Sequence, residues 1–492
     1  MYSTHYANAG SYNVGNDIAV DANGNAYVAG MGAGNYAMIL RLNASGVATF
    51  GGLLGNGGDN SADGIVIDGT GYAYLTGTAS PTFDVTSGAY QITSGGGDDA
   101  FVAKVNTNVD VSVSLVYSSF LGGALTDHGY KIAIDGAGNA CVTGSTFSQS
   151  FPVTAGGFQK TNGGGLSDAF VSKLSPDGAD LLYSTYFGGT YYEAGWGIAA
   201  DSSGNVYVGG DAEGAGFATT AGSFQPAWTY GNCAVWPDPP KTCADGFVAK
   251  INPSLSGTAS LVYSTYLGGS GSDNVRSLVI DAVGNAYVPG MALSPQLGTV
   301  EFPTVNPIPG FTFANGNGFV AELNASGSAL LFPSYYQEIV RDLAIGPGSL
   351  YLTGGTYMTD LIGTAGTYQP ANHGSQDAFI AKIGGVGRIS GDFDGDGKAD
   401  FGVWRGPSGT WYVLRSGDGG ATYLTIQWGS QAARDVLVPG DYDGDGQTDP
   451  AIWRPSTGTW YVLKSSDMYS YGSYLSRQWG SQALGDVPVR PK

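Results

Sequence analysis

The sequence predicts an all-β fold: a β-propeller followed by a small β-rich repeat module. Three observations predict it: a strand-and-turn phrase that recurs six times, glycine and tyrosine standing where charge would be usual, and two near-identical acidic loops towards the C-terminus. The 492 residues include 82 Gly and 31 Tyr, and only 12% are charged, yet 42% remain hydrophobic. Disordered chains lack that apolar and aromatic content. Collagen needs glycine at every third position, a period this chain does not have. Gly, Tyr, Thr and Val in this mixture suit many short strands joined by tight turns.

The phrase is a short apolar strand, Asp, two or three turn residues, Gly-Asn, then a second apolar strand. It runs from Ile18-Ala-Val-Asp21 to Gly30, from Ile65-Val-Ile-Asp68 to Gly77, and from Ile132-Ala-Ile-Asp135 to Gly144. It returns from Ile198 to Gly209, from Leu278 to Gly290 and, more loosely, from Leu343 to Gly354. The linking turns use Gly and Asn, which tolerate the positive φ of tight hairpins. The Asp residues (Asp21, Asp68, Asp135, Asp201, Asp281) are expected to cap those turns. A third strand follows in each unit, as in Ala100-Phe-Val-Ala-Lys104 and Gly246-Phe-Val-Ala-Lys250. The fourth is clearest at Leu115 to Gly123, Leu181 to Gly189 and Leu261 to Gly269. Four antiparallel strands repeated at this spacing describe a propeller blade.

The ends of the array suggest how it closes. Unit six stops after its third strand, while the chain begins with Tyr2-Ser-Thr-His-Tyr6, which matches the fourth-strand segment Tyr183-Ser-Thr-Tyr186. Adding this spare strand to blade six would complete six four-stranded blades and remove an exposed edge. A seventh blade donated by the C-terminal repeats is the first alternative. Donation of the strand to another molecule, giving a head-to-tail polymer, is the second.

Tyr-Ser-Thr-Tyr-Leu-Gly-Gly, Asp-x-x-Gly-Asn-Ala-Tyr-Val and Asp-Ala-Phe-Val-Ala-Lys together resemble the SBBP β-propeller repeats of bacterial surface and secreted proteins. Thr154-Ala-Gly-Gly-Phe-Gln159, Thr220 to Gln225 and Thr364 to Gln369 match the middle segment of that family. The resemblance covers about residues 2–384 and implies a propeller in an extracellular or cell-surface setting, making residues 1–386 one domain and 387–492 another.

In the second domain, Gly391-Asp-Phe-Asp-Gly-Asp-Gly-Lys-Ala-Asp400 and Gly440-Asp-Tyr-Asp-Gly-Asp-Gly-Gln-Thr-Asp449 are near copies. Each places Asp at loop positions 1, 3, 5 and 9: Asp392, Asp394, Asp396 and Asp400, then Asp441, Asp443, Asp445 and Asp449. Four carboxylates this close repel one another unless a hard cation lies between them. Ca²⁺ takes six to eight oxygens, and the main-chain carbonyls of Lys398 and Gln447 at position 7 would add to the shell. The missing Glu at position 12 argues against an EF-hand. The loops resemble FG-GAP/VCBS-type modules, which implies structural Ca²⁺.

Forty acidic residues against 20 basic ones give a net charge of −20. Such a surface repels phosphate backbones, so nucleic acid is not an expected partner. No apolar run is long enough for a membrane-spanning helix. The start, Met1-Tyr2-Ser3-Thr4, shows no signal peptide, so the expectation is that one was removed or that the gene product is longer. Cys233 and Cys243 sit in one Pro-rich insertion and are expected to form a disulfide, while Cys141 reads as a small buried hydrophobe. The same insertion carries Trp228, Tyr230 and Trp236, a candidate contact surface. Asn43 and Asn324 lie in glycosylation sequons. The three histidines show no nucleophile or metal spacing, and no catalytic motif is recognisable. The resulting expectation is a non-enzymatic structural or adhesive protein, outside the cell or on its surface, that assembles with itself through strand edges or binds surface partners. A lectin-like binder of extracellular polysaccharide is the alternative.

Overall fold

The computed structural model describes residues 13–479 apart from 110–113, 230–242, 294–300, 304–317, 337, 347–348, 357–376, 385–390, 396–399, 418–420, 444 and 446. The protein is all-β, a run of antiparallel meander sheets. The first sheet is β1 (Val14–Val20), β2 (Ala26–Gly32), β3 (Tyr36–Leu42) and β4 (Ala48–Leu54). The second is β5 (Ser61–Ile67), β6 (Tyr72–Ala79), β7 (Asp99–Asn106) and β8 (Leu115–Leu121). The third is β9 (Asp127–Ile134), β10 (Ala140–Thr146), β11 (Asp168–Leu174) and β12 (Leu181–Phe187). The fourth is β13 (Glu193–Ala200), β14 (Val206–Glu213), β15 (Ala244–Ile251) and β16 (Leu261–Leu267).

In the fifth sheet the first strand is split into β17 (Asp273–Val275) and β18 (Val279–Ile280), followed by β19 (Ala286–Ala292), β20 (Gly318–Leu323) and β21 (Leu330–Tyr336). The sixth sheet has three strands: β22 (Val340–Gly346), β23 (Ser349–Thr356) and β24 (Asp377–Gly384). The N-terminal strand expected to complete it, residues 2–6, lies outside the described residues. Two small sheets follow: β25 (Phe401–Arg405) to β27 (Tyr423–Gln427), and β28 (Val436–Leu437) to β31 (Leu475–Gln478). By compactness the chain divides into residues 1–343 with 353–379, and residues 344–352 with 380–492.

The recurring motifs have local reasons. In the Asp-x-x-Gly-Asn turn, Asp201 Oδ1 accepts from the N–H groups of Ser203 (3.0 Å) and Asn205 (2.9 Å), and its Oδ2 accepts from Asn205 Nδ2 at 2.7 Å. Asp21 and Asp135 are held the same way. The Gly before Asn takes positive φ, 80° at Gly204, where a side chain would be strained. The Lys that ends the third strand reaches this Asp: Lys173 Nζ lies 2.7 Å from Asp135 Oδ2. The middle segment packs along the fourth strand. Thr154 and Ser184 exchange hydrogen bonds, Gln159 N donates to Thr185 Oγ1 at 2.7 Å, and Gly188 N donates to Gln159 Oε1 at 3.1 Å. Between neighbouring sheets the core is aromatic, with Phe170, Tyr186, Phe187 and Phe247 wholly buried.

Candidate functional site

The first strands of successive sheets lie against one another, β1 on β5, β5 on β9 and β9 on β13, so they line the centre of the array. Each carries the same irregularity. The register slips by one residue at Asn16 in β1, Asp63 in β5, Tyr130 in β9 and Trp196 in β13. A β-bulge throws the extra side chain out of the pleat and re-aims it. In the fifth sheet the counterpart is Arg276, in the break between β17 and β18 opposite Pro289, whose ring nitrogen has no ladder proton to give.

These five residues meet across the sheets. Asn16 Nδ2 donates to Asp63 Oδ1 at 2.8 Å. Tyr130 stacks on Trp196 with ring centroids 4.3 Å apart, and the Arg276 guanidinium lies 5.4 Å from the Trp196 ring. The row continues outward, with His128 stacked on Tyr130 at 5.9 Å and Phe147 edge-on to His128 at 6.3 Å. Phe147 is exposed, and the other four are half-buried. Burial holds His128 below its ordinary pKa, so its imidazole is neutral at neutral pH. Trp196 Nε1 donates to Asp211 Oδ2 at 2.8 Å. Burial pushes the Asp211 carboxyl up to about 7 against the pull of Arg276. The result is a strip of flat apolar faces, ending in a cation and edged by carboxylates.

One residue further along the first strands of the first, third and fifth sheets, at Asp17, Lys131 and Ser277, a second layer ties the sheets together. Lys131 Nζ of the third sheet sits 2.7 Å from Asp17 Oδ1 of the first and 3.6 Å from Asp342 Oδ2 of the sixth. Ser277 Oγ of the fifth donates to Asp342 Oδ1 at 2.5 Å, and Ile65 N of the second donates to Asp17 Oδ2 at 2.9 Å. Five sheets thus share one polar cluster. Sequence reasoning missed both layers. The signal was present, since these residues stand two and one places before each recurring apolar phrase, where the copies cease to agree.

The acidic loops form two carboxylate clusters, Asp392 with Asp394 and Asp400, and Asp441 with Asp443 and Asp449, each with oxygens within 4.8 Å of one another. Each loop closes on itself. Asp400 N donates to Gly391 O at 2.8 Å, and Asp449 N donates to Gly440 O at 2.9 Å. The position-9 carboxylates are pinned from behind, Asp400 by Phe393 N and Ser416 N, Asp449 by Tyr442 N and Ser465 N. The loops also clasp each other, with Thr448 N donating to Asp392 O and Gly391 N to Thr448 Oγ1. Asp445 accepts from Gln447 N and from Ser465 Oγ, which also donates to Asp449. Asp396 and Lys398 lie outside the described residues.

Other expected site residues fall elsewhere. Trp228, of the candidate contact surface, is half-buried against the core, with Nε1 donating to Cys243 O at 3.2 Å. Tyr230, Cys233 and Trp236 lie outside the described residues. Cys243 is disulfide-bonded, and Cys141 is free and buried. Asn43 and Asn324 each use Oδ1 to cap their own turn, accepting from Val47 N and Ser328 N respectively.

Residues 182–218 and 262–294 match the family model of the SBBP β-propeller repeat. The chain carries SBBP β-propeller repeats. No curated protein matches it. Among solved structures, this SBBP chain is similar to a PL25 ulvan lyase bound to a GlcA–Rha3S unit, at 12% identity, covering 89% of this chain and 94% of that one with a TM-score of 0.39. It is also similar to the polysaccharide lyase Uly1 (11%, 91% and 90%, 0.35) and to a PQQ-bound aldose sugar dehydrogenase from Streptomyces coelicolor (14%, 76% and 95%, 0.34). These likenesses concern the fold. They do correct one expectation: the proteins that share this architecture include catalysts, so the reading of the SBBP chain as a non-enzyme is withdrawn. Among the described residues no helix is long and apolar enough to cross a membrane.

Proposed function

We propose that the chain is a secreted or cell-surface SBBP propeller that recognises a carbohydrate polymer along the row from Phe147 to Arg276. In the same reading its two acidic loops bind calcium as FG-GAP/VCBS-type braces. The observation that carries the recognition is the bulge at one position in four successive sheets, which delivers Tyr130 and Trp196 to a common strip. Aromatic faces pack on the C–H faces of sugar rings, and the arginine and carboxylates at the margin suit hydroxyls and anionic substituents. The disulfide at Cys243 supports an oxidising, extracytoplasmic setting. Calcium is supported by the oxygen-only clusters and by the flexible glycine turn at Gly395, where φ is 78°. Self-assembly through strand edges rests on residues 1–12 and 480–492, which lie outside the described residues.

The test is calorimetric titration with a panel of neutral and anionic polysaccharides. At least one should bind, and Trp196→Ala should weaken it about tenfold or more while circular dichroism stays unchanged. A panel without a binder, or a Trp196→Ala protein that binds as the parent does, overturns the reading.

A further inference from the structure

A third set of carboxylates lies between the sheets. Asp99 and Asp168 open β7 and β11, and Asp245 is the second residue of β15, the third strands of the second, third and fourth sheets. Asp127, Glu193 and Asp273 open β9, β13 and β17, the first strands of the sheets that follow. All six are wholly buried. At the first junction Asp99 Oδ2 accepts from Gly95 N at 2.7 Å, and Asp127 Oδ2 accepts from Gly123 N at 2.6 Å and Ser148 Oγ at 2.9 Å. At the second, Gly163 N and Gly189 N hold Asp168 and Glu193, each at 2.7 Å. At the third, Thr229 N holds Asp245 at 3.1 Å and Gly269 N holds Asp273 at 2.7 Å.

The other oxygen of Asp99, Asp127, Asp168, Glu193 and Asp245 is buried with no hydrogen-bond partner. None of these five forms an ion pair among the described residues. The carboxylates converge. A Cβ on Gly122 would stand 2.3 Å from Asp99 Oδ1 and 2.7 Å from Asp127 Oδ2. At Gly188 it would stand 2.7 Å from Asp168 Oδ1, and at Gly268 it would stand 2.5 Å from Asp245 Oδ1. This explains the first glycine of Leu-Gly-Gly, since any side chain there would displace the acid. Main-chain oxygens approach as well: the carbonyls of Gly123 and Gly189 would lie 2.4 and 2.2 Å from a Cβ on Gly95 and Gly163, the same glycines whose N–H groups hold the acids.

The junction between the first and second sheets makes the contrast. There Asn60 takes the place of the acid. Its Nδ2 donates to Gly57 O at 3.0 Å and its Oδ1 accepts from Ser80 N at 2.9 Å, so a neutral amide satisfies itself. At the first two junctions both carboxylates keep a bare oxygen, and at the third Asp245 does while Asp273 Oδ1 accepts from Leu293 N at 2.9 Å; two carboxylates buried at one junction cost several kcal/mol unless a positive charge joins them. The donors are oxygen alone, and two carboxylates balance one divalent ion, the chemistry of a hard cation.

We propose that these three junctions are calcium sites, each ion held between the two carboxylates and riveting one sheet to the next. The measurement is bound calcium per full-length chain, by mass spectrometry of the metal after exhaustive dialysis at micromolar free calcium. The expected content is about five ions, three from the junctions and two from the acidic loops. The double variant D168N/E193Q should lose one ion, and Asp245→Asn, a milder change that keeps the chain folded if the double variant does not, should also lose one. A D400N/D449N variant should lose two and retain three, which separates the junction sites from the loops. A content of about two that neither junction variant lowers, or no ion left once the loops are disabled, overturns the proposal in favour of carboxyl pairs sharing a proton.

Discussion

Replacing Lys131 by Met tests how the centre of the propeller is held. Lys131 lies 2.7 Å from Asp17, whose side chain is 7% exposed, while its own is 23% exposed. At an effective dielectric of about 20 the Coulomb attraction at that distance is about 6 kcal/mol, and desolvating each ion costs several kcal/mol in return. Burial pushes the Asp17 carboxyl up against the pull of Lys131. For Lys131 burial works against the charge, but Asp17 and Asp342 outweigh it and raise its pKa. Intact, the pair therefore contributes little net stability. Broken, it leaves Asp17 buried beside Asp342 with no cation. The expected loss for Lys131→Met is about 3 kcal/mol, the low end for a buried pair because the lysine is partly exposed. Urea unfolding at pH 7.5, followed by tryptophan fluorescence, measures it. The double variant D17N/K131M should recover most of the loss, since it removes the stranded charge along with its partner. A Lys131→Met protein within about 0.5 kcal/mol of the parent, or a double variant no better than the single one, would refute the reasoning.

Other outcomes follow from the same geometry. Calcium removal with EGTA should lower the melting temperature of the C-terminal unit, and the D400N/D449N variant should make its melt insensitive to the chelator; an unchanged melt on chelation defeats the loop assignment. Asp211 supplies a pH signature. Its folded pKa of about 7 lies above the 3.8 of an ordinary Asp, so the folded state binds more protons and loses stability as pH rises from about 4 to 7. Asp211→Asn keeps an acceptor for Trp196 and removes that slope, so its stability relative to the parent should improve between pH 5 and pH 8, by at most about 3 kcal/mol. An equal difference between the two proteins at both pH values would count against a carboxyl buried in this way.

Much of the scaffold was legible because it repeats. Asp201 and Asn205 occupy a turn whose hydrogen bonds are local, so the pattern alone implies the hairpin. Thr154 and Gln159 recur at a fixed distance from Ser184 and Thr185 because each copy packs its own segment on its own fourth strand. The centre was not legible in the same way. Trp196 and Tyr130 are neighbours only because two sheets bring their bulges together, and Lys131 meets Asp17 across more than a hundred residues of chain. In one dimension each looked like a loss of the repeat. The junction acids were hidden differently: Asp99 and Asp127 sit at the first position of their strands, where an Asp reads as another turn residue. Only their burial, and the oxygens left bare by it, set them apart from Asp21 or Asp68.

This division between what repeats and what does not has a physical basis. Each sheet must match its neighbours through aromatic layers and junction acids, and a change there is felt by two sheets at once, so those positions repeat from copy to copy. A bulge residue leaves the pleat, so its side chain stands outside the ladder and outside the aromatic layers packed between sheets, and meets chiefly the other bulge residues. Asn16, Asp63, Tyr130, Trp196 and Arg276 therefore differ in charge, size and aromaticity while the backbone that presents them keeps one form. A propeller built this way can change the side chains at its centre without relearning how to fold. The corollary is specific. Exchanging residues among the bulge positions, for example Trp196→Tyr or Tyr130→Asn, should alter ligand preference at a stability cost within about 1–2 kcal/mol. A single methyl added at Gly122 or Gly188 should cost more than either, because it drives a buried carboxylate out of a place fixed from two sides.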